Sequence, residues 1–287
     1  MGRDFKTFPG GKGANQSVAC ARAGGAATHM LLALGHDAFA APLESSLTQA
    51  GVELHIVRVD DQPTGTAFIC VSDDAENAIT VAPGANLALR SAHLPPLEAF
   101  SHLLLQLETP METVAAYAQA ARAQGVKVVL NAAPAQTLPS TLLAQLDVLI
   151  VNEGELAMVT DMPLGSIVDA LAKLTVPCVV VTLGWRGSCT LADGVFSVQP
   201  GFGVAPIDTT GAGDTFCGTL TAALGEGVAL LQALQRANAA AALACTRLGA
   251  QTSIPTRAEV NDFLASQLAS SESQDAALRR YCGAAFK

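Results

Sequence analysis

The chain has 287 residues, half of them hydrophobic and only 14% charged, with a formal net charge of −9. That length suits one α/β core with a small appendage, and an acidic balance without runs of lysine or arginine excludes a broad nucleic-acid footprint. No apolar stretch approaches the roughly 18 residues of a membrane span and no signal-like apolar region opens the chain, so a cytoplasmic protein without a membrane partner is expected.

In chain order, a helix is predicted over residues 14–23, directly after the run Gly10-Gly11-Lys12-Gly13. A second follows over 39–50. Strands at 66–72 and 78–82 leave one apolar face to be covered, and they read as a small β lid within about 60–85, with Gly65 as a candidate hinge. The apolar runs 103–107, 126–130, 148–151 and 179–183 are separated by helical patterns at 110–124, 153–160 and 166–174. That order reads as βαβ units, hence a parallel sheet buried on both faces.

A hairpin is predicted at 188–192 and 195–199 around Asp193-Gly194. Helices over 214–224, 230–246 and 257–266 complete a domain spanning 1–268, and residues 269–287 read as a polar, weakly helical tail. The predicted architecture is a three-layer α/β/α fold with a mostly parallel central sheet. Such a sheet normally opens with a strand, yet this chain reaches its glycine loop almost at once. The fold is therefore expected to be permuted or to lack its N-terminal strand.

The seven cysteines are scattered and odd in number and form no CxxC pair, which fits reduced thiols. The five histidines show no metal-ligand spacing and read as structural or surface residues.

The strongest chemical signal is "DTTGAGD", residues 208–214, ahead of an apolar helical pattern. Gly211, Ala212 and Gly213 let the backbone approach a ligand, and the following helix start offers unpaired N–H groups and a positive dipole end. That arrangement suits an anion hole for a migrating phosphoryl group. Asp214, in the first turn, is placed to act as base and orienter for a substrate hydroxyl; the plainer alternative is a carboxylate that merely suits a helix start. The lysine of the Gly10–Gly13 run lacks the Ser or Thr of a Walker A loop. Taken alone, that run is equally a structural turn.

At these residues the chain resembles the ribokinase family of sugar kinases, also called the PfkB carbohydrate kinases. "GGKGAN", "QLETP", "NAAPA", "NEGE", "TLGWRG" and "TRLGAQTSIPTRAEV" carry the resemblance along nearly the whole chain. It implies an ATP-dependent kinase, with D-ribose phosphorylated at the 5-hydroxyl as the expected reaction. Gly11, Lys12, Asn15, Glu108 and Asp214 would meet the sugar. Asn152, Thr182, Gly184, Arg186, Gly187, Gly213 and Asn238 would meet ATP.

Glu155 would serve Mg²⁺ through water, since that ion keeps several of its waters when bound. Asp208, Thr210, Ala244, Arg247, Gly249 and Ser253 would surround K⁺ or a similar monovalent cation. The family also implies a homodimer through the β lid. It places a strand and two sugar-gripping residues ahead of the glycine loop that have no counterpart here. Two other functions stay open at this stage: a kinase of another sugar, sugar acid or nucleoside, and a remnant that holds nucleotide without turnover.

Overall fold

The computed structural model describes residues 6–71, 77–163, 165–267 and 271–284. Helix α1 (Lys12–Arg22) leads into a parallel pair, β1 (Thr28–Leu34) and β2 (Val52–Arg58), bridged by α2 (Ala40–Gln49). An antiparallel pair follows, β3 (Thr66–Val71) and β4 (Asn77–Ala82). The main sheet then begins with β5 (His102–Leu105), α3 (Met111–Ala123), β6 (Lys127–Asn131) and α4 (Ser140–Leu143). It continues through β7 (Val148–Asn152), α5 (Glu153–Thr160), α6 (Ile167–Leu171) and β8 (Cys178–Thr182). A hairpin of β9 (Gly187–Ala192) and β10 (Val195–Pro200) closes it, and α7 (Ala212–Gly225), α8 (Leu230–Ala244), α9 (Arg257–Ser266) and α10 (Glu272–Tyr281) follow.

The six-stranded sheet has the order β10-β9-β8-β7-β6-β5, parallel from β5 to β8 and antiparallel beyond. Its strands are apolar on both faces because both are covered. Val128, Leu130, Leu149, Val151, Val179 and Val181 pack with Val114 and Tyr117 of α3, Leu142 of α4 and Leu156 of α5. Their neighbours Val129, Val148, Ile150 and Val180 pack with Phe216 and Leu220 of α7 and Leu234 of α8. Each such side chain contributes about 1.5–3 kcal/mol by leaving water. The result is the three-layer α/β/α fold expected. Asp193 and Gly194 take φ of 48° and 77°, the left-handed pair that a two-residue hairpin turn requires.

The pair β3–β4 stands apart as a separate two-stranded sheet, with Phe68 and Val81 both exposed. The predicted strand end at Ser72 lies outside the described residues. Residues 271–284 bear out the helix expected in the tail and dock it on the domain. They form α10, capped by Ser271, whose side chain accepts from Gln274 N–H, and Leu278 and Cys282 enter the main core.

β1 and β2 are additions to the predicted elements. They form their own sheet: among the described residues β1 pairs only with β2, and β5 only with β6. The two sheets adjoin through side chains, with Leu31 packed on the main core and His29 edge-on to Phe100. Among the described residues, no helix is long and apolar enough to cross a membrane.

Candidate active site

Asn131, Asn152 and Thr182 are the last residues of β6, β7 and β8, and open α/β sheets hold ligands at the carboxyl ends of their strands. All three line a cavity of about 150 Å³, joined by Lys12 of α1, Glu155 of α5, and Gly211, Gly213, Asp214 and Cys217 around the start of α7.

The mouth of α7 is shaped by its glycines. Gly211 precedes the helix at φ 76° and ψ 2°, a left-handed geometry that glycine adopts without penalty. A Cβ there would lie 3.2 Å from the Ala250 Cα. First-turn N–H groups have no acceptor within a helix and sit at its positive end. The Ala212 N–H is turned to the Thr209 carbonyl at 3.2 Å, so within the predicted triplet Gly211 and Gly213, not Ala212, face the cavity. A Cβ built on Gly213 meets nothing within 4 Å.

Asp214 is buried within a web of amides. Asn15 Nδ2 donates to its Oδ2 at 2.8 Å, and Gln16 Nε2 donates to its Oδ1 at 2.9 Å. Gln16 Nε2 also reaches Asn131 Oδ1 at 3.0 Å, while Gln106 Nε2 donates to Gln16 Oε1 at 2.7 Å. Burial pushes the Asp214 carboxyl above its ordinary range, outweighing the Lys12 charge and the two amide donors. Asn15 Oδ1 is buried and has no hydrogen-bond partner among the described residues.

Glu108 lies beside the glycine loop, where its Oε2 accepts from the Lys12 backbone N–H at 2.8 Å. Glu155 and Asn152 form a capping box at the start of α5: each side chain accepts from the other's backbone N–H at 2.8 Å. Burial raises both the Glu108 and the Glu155 carboxyl, and Lys12 is the cation that pulls both back. Three desolvated carboxylates around one lysine suit a ligand that brings divalent positive charge.

The remaining expected residues lie off the cavity lining. Gly184 sits in a single 3₁₀ turn and Gly187 begins β9. The Arg186 guanidinium lies over the rings of Trp185 and Tyr281, at 4.6 Å and 4.3 Å. Asn238 Nδ2 donates to Ser188 Oγ at 3.1 Å and to the Gln199 carbonyl at 3.2 Å, tying α8 to the hairpin.

The six cation positions fall on two facing backbone segments. Asp208 accepts from the Thr210 and Gly249 N–H groups, each at 2.9 Å. These bonds, with one from the Thr210 side chain, outweigh burial and hold its carboxyl below the ordinary range. Ser253 Oγ donates to the Ala250 carbonyl at 2.8 Å, and the Ala244 carbonyl accepts from Arg247 N–H at 3.1 Å. The Arg247 guanidinium is taken by Glu259 at 2.6 Å, so only the main chain of Arg247 is left to offer a cation an oxygen.

Sequence reasoning missed Gln16, Gln106 and Asn131. The available signal was an amide beside Asn15 on an Ala-rich helix, plus amides at two strand ends, where polar side chains gather around ligands.

A helix mouth ready for an anion, a buried carboxylate and a cavity at the strand ends define an α/β enzyme of the phosphoryl-transfer class. The model of the pfkB family carbohydrate kinase matches residues 2–257. The chain is 39% identical over 274 residues to the ribokinase of Haemophilus influenzae, covering 92% of this chain and 89% of that protein. A solved ribokinase from Thermotoga maritima superposes with a TM-score of 0.82 at 37% identity, over 90% of this chain and 88% of that one. A ribokinase from Arabidopsis thaliana, complexed with ribose and ATP, superposes with a TM-score of 0.84 at 33% identity and the same coverage. The chain belongs to the pfkB family of carbohydrate kinases.

Proposed function

We propose that this kinase transfers the γ-phosphoryl group of ATP to the 5-hydroxyl of D-ribose, giving D-ribose 5-phosphate and ADP. The observation that carries the reading is Asp214, buried, amide-held and set in the first turn of α7 beside the glycine mouth. The relatives named ribokinase supply the sugar.

The hydroxyl oxygen forms its bond to the γ-phosphorus as the bond to the β–γ bridging oxygen breaks. The hydroxyl proton passes to Asp214 and the bridging pair of electrons leaves with ADP. Asp214 chiefly aligns the hydroxyl, which becomes acidic as the O–P bond forms. N–H groups at Gly211 and Gly213 face the migrating charge. Gly11, Lys12, Asn15 and Glu108 would hold the sugar hydroxyls. ATP lies along Asn152, Thr182 and the loop Gly184–Gly187, with Asn238 shaping the far end through its hold on the hairpin.

Mg²⁺ fits the carboxylate-rich cavity, where Glu155 would hold it through water, and it supplies charge neutralisation on the ATP phosphates. K⁺ fits the oxygens around Asp208, Thr210, Ala244, Arg247, Gly249 and Ser253. The Gly211–Ala250 contact links that region to the helix mouth. A homodimer would cover β3–β4, since a lone two-stranded sheet is marginal in water; light scattering of the chain and of Phe68→Asp tests it, and a monomeric parent would end the idea.

The decisive assay couples ADP release to ribose. Ribose-dependent turnover should collapse in Asp214→Asn. Undiminished turnover removes the aspartate from the mechanism. A panel of sugars separates ribose from deoxyribose, the latter favoured by a 31% identical deoxyribokinase of Salmonella typhi. Stabilisation by ATP without turnover on any sugar would favour a nucleotide-holding remnant.

A further inference from the structure

The parallel pairing of β1 and β2 gathers three metal-ligating side chains outside the catalytic cavity. Residues two apart on a strand share a face, so Glu53 and His55 project together from β2, and the register sets His29 beside Glu53. His29 Nδ1 lies 3.2 Å from His55 Nε2 and 3.5 Å from Glu53 Oε1. All three ligand atoms fall within 4.8 Å of one another. A tetrahedral Zn²⁺ with bonds of about 2.0–2.1 Å separates its donor atoms by about 3.4 Å. The two shorter separations match that edge.

A hydrogen bond between the imidazoles accounts for only part of this cluster. One proton on His29 Nδ1 would have to serve both His55 and Glu53, whereas one on His55 Nε2 would leave the carboxylate against a bare nitrogen lone pair. A cation at the centre satisfies all three atoms together. The His29 ring is already held, edge-on to Phe100 at 4.8 Å between centroids. The side chains of His29 and Glu53 are 30% and 68% exposed, so water can take the fourth position.

We propose that His29, Glu53 and His55 form a site for a divalent transition metal of the zinc type, stapling β1 to β2. Two imidazoles and one carboxylate favour Zn²⁺ or Co²⁺ over Mg²⁺, which prefers an all-oxygen shell. None of the three residues lines the catalytic cavity, so the site is separate from the one that would serve ATP. Sequence spacing alone conceals it, because sheet register, not a local motif, brings the ligands together.

The test uses the full chain, freed of metal and without nucleotide. Zn²⁺ titrated against a chromophoric chelator should bind at one equivalent, and affinity should fall at least tenfold in His55→Ala and in Glu53→Gln. A hundredfold excess of Mg²⁺ should leave binding in place. Co²⁺ added to the unmodified chain should give visible d–d bands without the near-ultraviolet charge-transfer band of thiolate ligation. Absence of uptake, uptake unchanged in the His29→Ala/His55→Ala double variant, or a thiolate band would each overturn the site.

Discussion

Burial disfavours a charge on Asp214 and raises its pKa, and its pH behaviour follows. A general base works only when ionised, so turnover should fall as pH drops through a pKa raised above the ordinary ~3.9 of aspartate. The acid limb of kcat/KM measures it; a limb at or below that ordinary value would contradict the raised pKa. Because the folded carboxyl holds its proton more tightly than the unfolded one, its ionisation lowers stability as pH rises across the window between the two pKa values. Asp214→Asn should therefore gain stability relative to the parent by about 1.4 kcal/mol per pH unit in that window, and no more above it. Urea unfolding of both proteins at a series of pH values gives the difference; a constant gap would refute it. Gly213→Ala is the complementary case. Its added methyl enters open space, so the melting temperature should hold while kcat falls at least tenfold, and equal losses in both would show the glycine to be structural. Asp214 was legible in the sequence because it follows three small residues at a helix start, and Asn15 was named only through the family resemblance of "GGKGAN". Gln16 was not, since its role depends on α7, which joins it only in the folded chain.

The contact between α1 and α7 rests on a second glycine. A Cβ at Gly218 would lie 2.6 Å from the Ala19 Cβ and 2.9 Å from the Cys20 N, and Cys20 Sγ already donates to the Gly218 carbonyl at 3.2 Å. Gly218→Val should cost about 1–3 kcal/mol by overpacking and lower kcat, because it pushes α1 and its Asn15 and Gln16 away from Asp214. Thermal melts with steady-state kinetics check both effects; loss of stability with unchanged kcat would uncouple the helix contact from catalysis. Burial here also silences thiols. The Cys20 thiol is pushed up to about 12 and Cys217 well above its ordinary range, chiefly by burial. At pH 8 both should resist iodoacetamide until urea unfolds the chain, as peptide mass mapping would reveal; rapid labelling of either in the native protein would contradict that. Among strands, β6, β7 and β8 were readable from their valine and isoleucine runs, and the β9–β10 turn from Asp-Gly. β1 escaped because "THMLLAL" is rich in leucine and alanine, which suit helices as well as strands.

At the scale of the molecule, α10 closes the far face. Leu278 and Cys282 lie in the main core, and the Tyr281 hydroxyl donates to Glu153 at 2.7 Å while its ring covers Arg186. Leu278→Ala should destabilise by about 2–5 kcal/mol, measured as a shift of the urea midpoint; a shift near zero would return this helix to the status of a loose tail. Its polar composition hid the docking rather than the helix, since only one turn needs to be apolar to dock.

The amide grip on Asp214 joins two helices that lie far apart in the sequence. Asn15 and Gln16 travel with the helix that feeds the smaller sheet, whereas Asp214 belongs to the layer over the larger one. The close approach of α1 to α7 at Gly218 holds them together. Any slip between these two helices would therefore be felt first at the grip of two amides on one carboxylate, making Asp214 a gauge of how tightly they are seated.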